Sequence, residues 1–154
     1  MSNKCKRTAL IGKLNIEAEI FMSATRLSDQ SLAEINQLLS IWGMTALQYN
    51  ALRVIYVKDV DDVGLPSLEI GKRLYTRVPD VTRLLDRLAD KGWVTRKRDE
   101  KNRRVVRTRL TQIGIELLES IYMPLTELEA GRFSHMSDEE KQMLEKLLNK
   151  ALAS

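Results

Sequence analysis

Cysteine and histidine are almost absent from this sequence, which contains only Cys5 and His135 among its 154 residues. A disulfide framework needs at least two cysteines and a zinc site needs several clustered Cys or His ligands, so both are excluded. The sequence offers no Cys/His catalytic pair either, and we expect no metal and no cofactor. A chain without disulfides is typical of the reducing cytoplasm, where we expect this protein to work.

Long apolar runs are also missing. No segment approaches the roughly 18 apolar residues that span a bilayer, and the N-terminal MSNKCKRTALIGKLN lacks the apolar core of a signal peptide. We therefore expect no membrane contact and no export. No nucleophile–base pair and no phosphate-binding glycine loop is present, so we do not expect an enzyme. The chain is still 44% hydrophobic, enough to bury the core of one domain.

Charge is distributed unevenly along the chain. Residues 72–109 contain fourteen Lys/Arg and five Asp/Glu, a net charge of +9, whereas the remainder contains eleven basic and sixteen acidic residues, a net charge of −5. Such a concentrated positive field favours a polyanionic partner, because each cation that neutralises a phosphate releases a counterion. The pattern therefore indicates nucleic-acid binding.

Helical patterns dominate the N-terminal half. Apolar residues recur at helical spacing over residues 10–42, which predicts a long first helix with a possible break at Ser28-Asp29. Gly43 is expected to end it. Thr45 and Gln48 have the spacing of a capping box, so a second helix is predicted to begin there.

Two shorter helices are predicted in the middle of the chain. After a loop over residues 58–66 with room for one short strand, Ser67 is expected to cap a third helix. Pro79 fits only the first turn of a helix, so the fourth helix is predicted to begin near Val78 and to end at Gly92. Its apolar residues have the i, i+3, i+4, i+7 spacing of a core-facing stripe: Val81, Leu84, Leu85 and Leu88.

A basic hairpin follows the fourth helix. Residues 93–98 and 105–110 are predicted to be its two strands, and Val106, Thr108 and Leu110 should share one face. The turn falls in residues 99–104, with Asn102 as the best turn former.

Two further helices complete the chain. Thr111 is predicted to cap a long helix that Pro124 should kink, and Ser137 with Glu140 forms a capping box for the last helix. The predicted fold is mainly α with a small β-hairpin wing. Two short helices followed by a basic hairpin are the order of a winged helix-turn-helix, here flanked by N- and C-terminal helices.

Over nearly its full length the chain resembles the multiple antibiotic resistance regulator (MarR) family of transcriptional regulators. The resemblance depends on the order and spacing of these motifs: Val81-Thr82-Arg83-Leu84, Asp86-Arg87-Leu88, Lys91-Gly92, Arg103-Arg104-Val105 and Leu110-Thr111-x-x-Gly114.

The resemblance implies a homodimer that binds double-stranded DNA. It divides the chain into an N-terminal dimerisation helix at 1–44, a winged helix-turn-helix domain at 45–112 and C-terminal dimerisation helices at 113–154. A recognition helix at about 78–91 would enter the major groove, and Arg104 at the wing tip would enter the minor groove.

The implied DNA contacts fall into two groups. The contacts expected on and beside the recognition helix are Arg77, Pro79, Asp80, Thr82, Arg83 and Arg87. Those expected on the wing are Lys97, Lys101, Asn102, Arg103, Arg104 and Arg107. Of these, Lys97, Lys101, Arg103 and Arg107 would contact phosphates. Many relatives have Asp at the position of Asn102, where the side chain orients the wing arginine, and a Ser-Thr pair at Pro79-Asp80.

The resemblance also implies a regulator, most simply a repressor, that a small aromatic or phenolic effector releases from a pseudo-palindromic operator. Phe21, Tyr49, Arg53 and Tyr56 form a candidate pocket for a small aromatic anion, although plain core packing explains them as well. Two alternatives stay open: an architectural DNA-binding protein without an effector, and a redox-responsive regulator that uses Cys5.

Overall fold

The computed structural model describes residues 15–153. The predicted start of the first helix and Cys5, the candidate redox residue, lie outside this range. Helix α1 spans Ile16–Leu39 and is capped by Asn15, whose side chain accepts a hydrogen bond from the backbone N–H of Ala18 at 3.0 Å. It continues through Ser28-Asp29, so the possible break at that site is absent.

The connection after α1 follows the predicted pattern. A 3₁₀ turn at Ser40–Trp42 ends at Gly43, whose φ of 61° is a left-handed conformation that favours glycine. Helix α2 spans Ala46–Lys58, and both hydrogen bonds of the capping box form between Thr45 and Gln48. The two helix boundaries expected here are therefore confirmed.

The next two helices start differently from the prediction. Strand β1 (Leu65–Pro66) leads directly into helix α3 (Ser67–Arg73), so Ser67 is the first helical residue, and its side chain makes no capping hydrogen bond. Helix α4 spans Val81–Asp90 instead of beginning near Val78. The physical reason is Asp80, whose carboxylate accepts a hydrogen bond from the backbone N–H of Arg83 at 2.9 Å and so fixes the helix start after Pro79.

The hairpin forms a three-stranded antiparallel sheet with β1. Strands β2 (Val94–Arg98) and β3 (Val106–Leu110) pair along their whole length, and the strand order is β1-β3-β2. Thr108 is fully buried at the centre of β3, with Val106 and Leu110 half-buried on the same face. The predicted strand is confirmed, and its period of two places Val106, Thr108 and Leu110 on one face, while Arg107 and Arg109 on the other face are half-buried as well.

Two helices complete the described chain. Helix α5 spans Gln112–Arg132 and contains Pro124, and the hydroxyl of Thr111 caps it by accepting from the N–H of Gly114 at 3.1 Å. Helix α6 spans Asp138–Leu152 and begins at the predicted capping box of Ser137. Within the described residues 15–153, no residue of α6 is buried.

One hydrophobic core holds these elements together. The predicted stripe of α4 faces it, since Leu84, Leu85 and Leu88 are all buried. The core joins the end of α1 to the winged elements and α5, and its fully buried members include Leu39, Leu52, Ile55, Ile70, Leu85, Leu88 and Ile121. The fold is therefore mainly α-helical with a small wing, as the sequence predicted.

Candidate nucleic-acid interface

The outward face of α4, the predicted recognition helix, carries exposed cations without an ion-pair partner among residues 15–153. Thr82, Arg83 and Arg87 are exposed, and neither arginine has an acidic partner among residues 15–153. Arg77 and Pro79 precede the helix and are also exposed. Asp80 serves as its cap, so its carboxylate has a structural role at the helix start.

The wing presents a second set of free cations. Lys97, Lys101, Arg103 and Arg104 are exposed, and the described part of the chain places no carboxylate in an ion pair with any of them. Asn102 shapes the turn that carries them. Its carbonyl accepts from the N–H of Val105 at 2.8 Å, and its side chain accepts from the N–H of Arg104 at 3.2 Å. The amide thus orients the backbone of Arg104.

Arg107 differs from the other wing cations because it binds groups of the chain itself. Its Nε pairs with Asp99, and its Nη1 donates to the carbonyl of Gly64 at 2.9 Å. The same carboxylate accepts from the backbone N–H groups of Lys101 and Asn102, both at 2.9 Å. The hydrogen bond from Arg107, followed by the backbone hydrogen bonds, lowers the pKa of Asp99.

Four other basic residues of the positive segment also have partners within the chain, and one of them, Arg73, pairs with Glu69 one turn earlier in α3. Arg109 pairs with Asp62 in the loop before β1. Lys91 donates to the carbonyl of Gly43, and its ammonium lies 4.4 Å from the ring centre of Trp93. Arg96 pairs with Asp86 of the recognition helix. The sequence alone could not show which basic residues of this segment have partners within the chain and which have no ion-pair partner among residues 15–153.

Arg96 was missed by the sequence reading although a signal for it existed. Arg96 follows Val94 by two residues in β2, and side chains two residues apart in a strand point to the same face. Val94 is buried, so Arg96 is expected on the inner face of the strand. An arginine on an inner face must have partners within the protein, because an unpaired buried charge is strongly unfavourable.

A groove between α2 and α5 contains three of the four residues expected to bind an effector. Tyr49, Arg53 and Tyr56 line it, and its volume is about 540 Å³. Phe21 does not line it and is 70% exposed on α1. The α5 side of the groove was not anticipated and comprises Leu118, Glu119, Tyr122, Leu125, Thr126 and Glu129. Its signal was the helical spacing of Leu118, Tyr122, Leu125 and Glu129.

The surroundings of the groove change the pKa of one of its tyrosines. Burial raises the pKa of Tyr49, Arg53 opposes this rise, and Glu129 and Tyr122 add to it. Tyr49 therefore remains a neutral phenol at neutral pH, able both to donate and to accept a hydrogen bond.

The fold and the exposed cations together define a winged-helix DNA-binding protein. None of the helices within residues 15–153 is long and apolar enough to cross a membrane.

Comparisons with known proteins agree with this class. The family model described as "MarR family" matches residues 44–106. The HTH-type transcriptional regulator YkoM of Bacillus subtilis is 33% identical over 71% of this chain and 68% of its own length. The transcriptional repressor MprA of Escherichia coli is 26% identical over 77% of this chain and 66% of its own.

Among solved structures, a cysteine-to-serine mutant of Escherichia coli MarR in complex with operator DNA aligns with a TM-score of 0.80 and 26% identity. The alignment covers 92% of this chain and 99% of that one. The chain belongs to the MarR family and is a DNA-binding transcriptional regulator, not an enzyme.

Proposed function

We propose that this protein is a homodimeric, sequence-specific repressor that binds a pseudo-palindromic operator in the cytoplasm and is released by a small aromatic effector. The observation that carries the DNA-binding part is the set of exposed cations on α4 and on the wing that have no ion-pair partner among residues 15–153. Exposed guanidinium groups can bind phosphates and guanine edges, whereas an arginine that is already paired within the chain has fewer N–H donors left for DNA. The repressor named MprA and the operator complex of MarR support the same role.

Dimerisation is supported by apolar side chains that this chain leaves exposed at both of its ends. On α1 they are Ile16, Ile20, Phe21 and Met22, and on α6 they are Met143, Leu147, Leu148 and Leu152. Apolar surface of this extent favours association with a second copy. A two-fold dimer would present two recognition helices to half-sites about one helical turn apart.

The effector would bind in the groove between α2 and α5. Its tyrosine rings and apolar floor suit a planar aromatic molecule, and a volume of about 540 Å³ is that of an ordinary ligand pocket. Arg53 offers a charged contact, and an occupied groove would change how the winged domain is oriented on the flanking helices.

One experiment tests the operator-binding proposal, and a second tests the effector. Selection of bound duplexes from a random DNA pool should return an inverted repeat with half-sites about 10–10.5 bp apart. Recovery of unrelated sequences would leave only an architectural DNA-binding role. For the effector, aromatic carboxylates and phenols should raise the melting temperature and dissociate the selected DNA, and Tyr49→Ala should abolish both effects.

A further inference from the structure

Arg96 belongs to strand β2 of the wing, and its side chain reaches α4 and is largely shielded from solvent. Its side chain is only 13% exposed, although it carries a charge. Within β2 it pairs with Thr108, the fully buried centre of β3, so its backbone is anchored in the middle of the hairpin.

The guanidinium of Arg96 contacts both helices of the helix-turn-helix. Nη1 pairs with the Asp86 carboxylate and lies 3.4 Å from the Thr82 carbonyl, both on α4. Nη2 donates to the Ser67 hydroxyl at 3.3 Å, at the start of α3. One side chain of the wing therefore bridges to the recognition helix and to the helix before it.

We propose that Arg96 is a positioning residue that fixes the recognition helix relative to the wing, and that Asp86 orients Arg96 instead of reading a base. This inference rests on the proposed operator specificity. Base contacts tolerate displacements of only about 0.5 Å. A bridge between helix and wing keeps Arg83 and Arg104 in register with adjacent grooves of one duplex.

The charge of Asp86 supports this assignment. A carboxylate on a helix that faces DNA phosphates opposes binding electrostatically. Asp86 is more than half exposed, and its Oδ1 atom is engaged by Arg96. A carboxylate on this face is explained if the ion pair with Arg96 strengthens operator binding, through better placed specific contacts, by more than its negative charge weakens the attraction to DNA.

The test compares Asp86→Asn with Asp90→Asn, using an operator selected from a random pool and a random duplex of equal length. Asp90 is exposed at the end of the same helix and has no ion-pair partner among the described residues. Both substitutions remove one negative charge, so both should bind random DNA equally and slightly more tightly than the unaltered protein. Asp86→Asn alone should weaken operator binding, by about tenfold, the loss typical of one charge-assisted hydrogen bond.

Arg96→Lys provides a second, independent test. Lysine keeps the positive charge but cannot bridge several acceptors as a planar guanidinium does. We expect about tenfold weaker operator binding with an unchanged salt dependence, and faster amide hydrogen exchange in both α4 and the wing without DNA. A melting curve of each variant is the control for folding.

Three results would overturn the proposal. The first is an Asp86→Asn variant whose affinities for both duplexes equal those of Asp90→Asn. The second is an Arg96→Lys variant that binds the operator as tightly as the unaltered protein. The third is an Asp86→Asn variant that loses discrimination at a single base pair, which would make Asp86 a base-contacting residue. If the unaltered protein selects no operator while Arg96→Lys still loosens helix and wing together, the operator proposal fails and the positioning role stands.

Discussion

The carboxylate of Asp99 closes the wing turn by binding the guanidinium of Arg107 on the opposite strand. It also accepts hydrogen bonds from the backbone N–H groups of Lys101 and Asn102, so one side chain orders both the turn and strand β3 after it. Arg107 extends the connection to the Gly64 carbonyl, beside β1. The wing tip is therefore held by the chain itself, before any DNA is bound.

The Asp99–Arg107 pair predicts a specific pH dependence. Because the folded-state pKa of Asp99 lies below its ordinary value of 3.8, its contribution to stability is present above that value and is lost as the pH falls through the folded pKa. Asp99→Asn should therefore lower the melting temperature at pH 7, and its difference from the unaltered protein should shrink in acid. A difference that stays constant from about pH 7 to about pH 2 would contradict this.

The two kinds of wing contact should respond differently to substitution. Arg104→Ala should weaken operator binding by roughly 1–3 kcal/mol and random DNA binding by much less, since a minor-groove contact senses sequence-dependent groove shape. Lys101→Ala, which removes an exposed cation of the same turn, should weaken both duplexes alike. Binding titrations on both duplexes measure this, and identical behaviour of the two variants would remove the assignment of Arg104.

Neighbouring positions of the recognition helix should separate specificity from stability. Leu84 is 8% exposed, and Leu84→Ala should lower the free energy of unfolding by about 2–5 kcal/mol because it leaves a cavity. Arg83→Ala, on the exposed face, should leave the melting temperature unchanged and relax specificity at one base pair of each half-site. An unchanged melting temperature for Leu84→Ala would mean that the helix is rotated from its described orientation.

Local signals in the sequence predicted the fold well. The capping boxes at Thr45 and Ser137 and the leucine stripe of α4 each depend on residues within one or two helical turns, and all three are present. The start of α4 was predicted wrongly because the preference of Pro79 for a first helical turn was weighed and the capping side chain of Asp80 was not.

Contacts between distant segments were not predictable in the same way. Arg96 meets Ser67 across 29 residues, and Arg107 meets Gly64 across 43. Such pairings depend on how elements pack, which no local pattern encodes. The positive charge of residues 72–109 therefore predicted a nucleic-acid interface but did not show which arginines pair within the protein.

Two glycines of α5 should respond oppositely to the same substitution. A Cβ atom on Gly114 would overlap the carbonyl oxygen of Trp93, whereas one on Gly131 would meet no atom of residues 15–153 within 4 Å. Gly114→Ala should therefore destabilise the protein by about 1–3 kcal/mol through overpacking. Gly131→Ala should stabilise it by about 0.5–1 kcal/mol, because alanine restricts the unfolded chain and favours helix. Denaturant unfolding measures both, and a stable Gly114→Ala would refute the close packing of α5 on Trp93.

The last helix offers the most direct test of dimerisation. Helix α6 contains no buried residue in the described part of the chain, yet Met143, Leu147 and Leu148 lie on one stripe and are all substantially exposed. An isolated helix of 15 residues is marginally stable in water. Packing against a second copy of the chain would stabilise α6 and remove this apolar surface from water.

A charge placed on that stripe should therefore dissociate the dimer. Leu147→Glu should sediment as a monomer, while Gln142→Glu, which adds the same charge to an exposed polar position of α6 off the stripe, should remain dimeric. The monomer should also lose the dependence on half-site spacing. A 5 bp insertion, about half a helical turn, should abolish operator binding by the unaltered protein and leave the weak binding of Leu147→Glu unchanged. A dimeric Leu147→Glu, or an unaltered protein indifferent to the insertion, would show that α6 does not set the separation of the recognition helices.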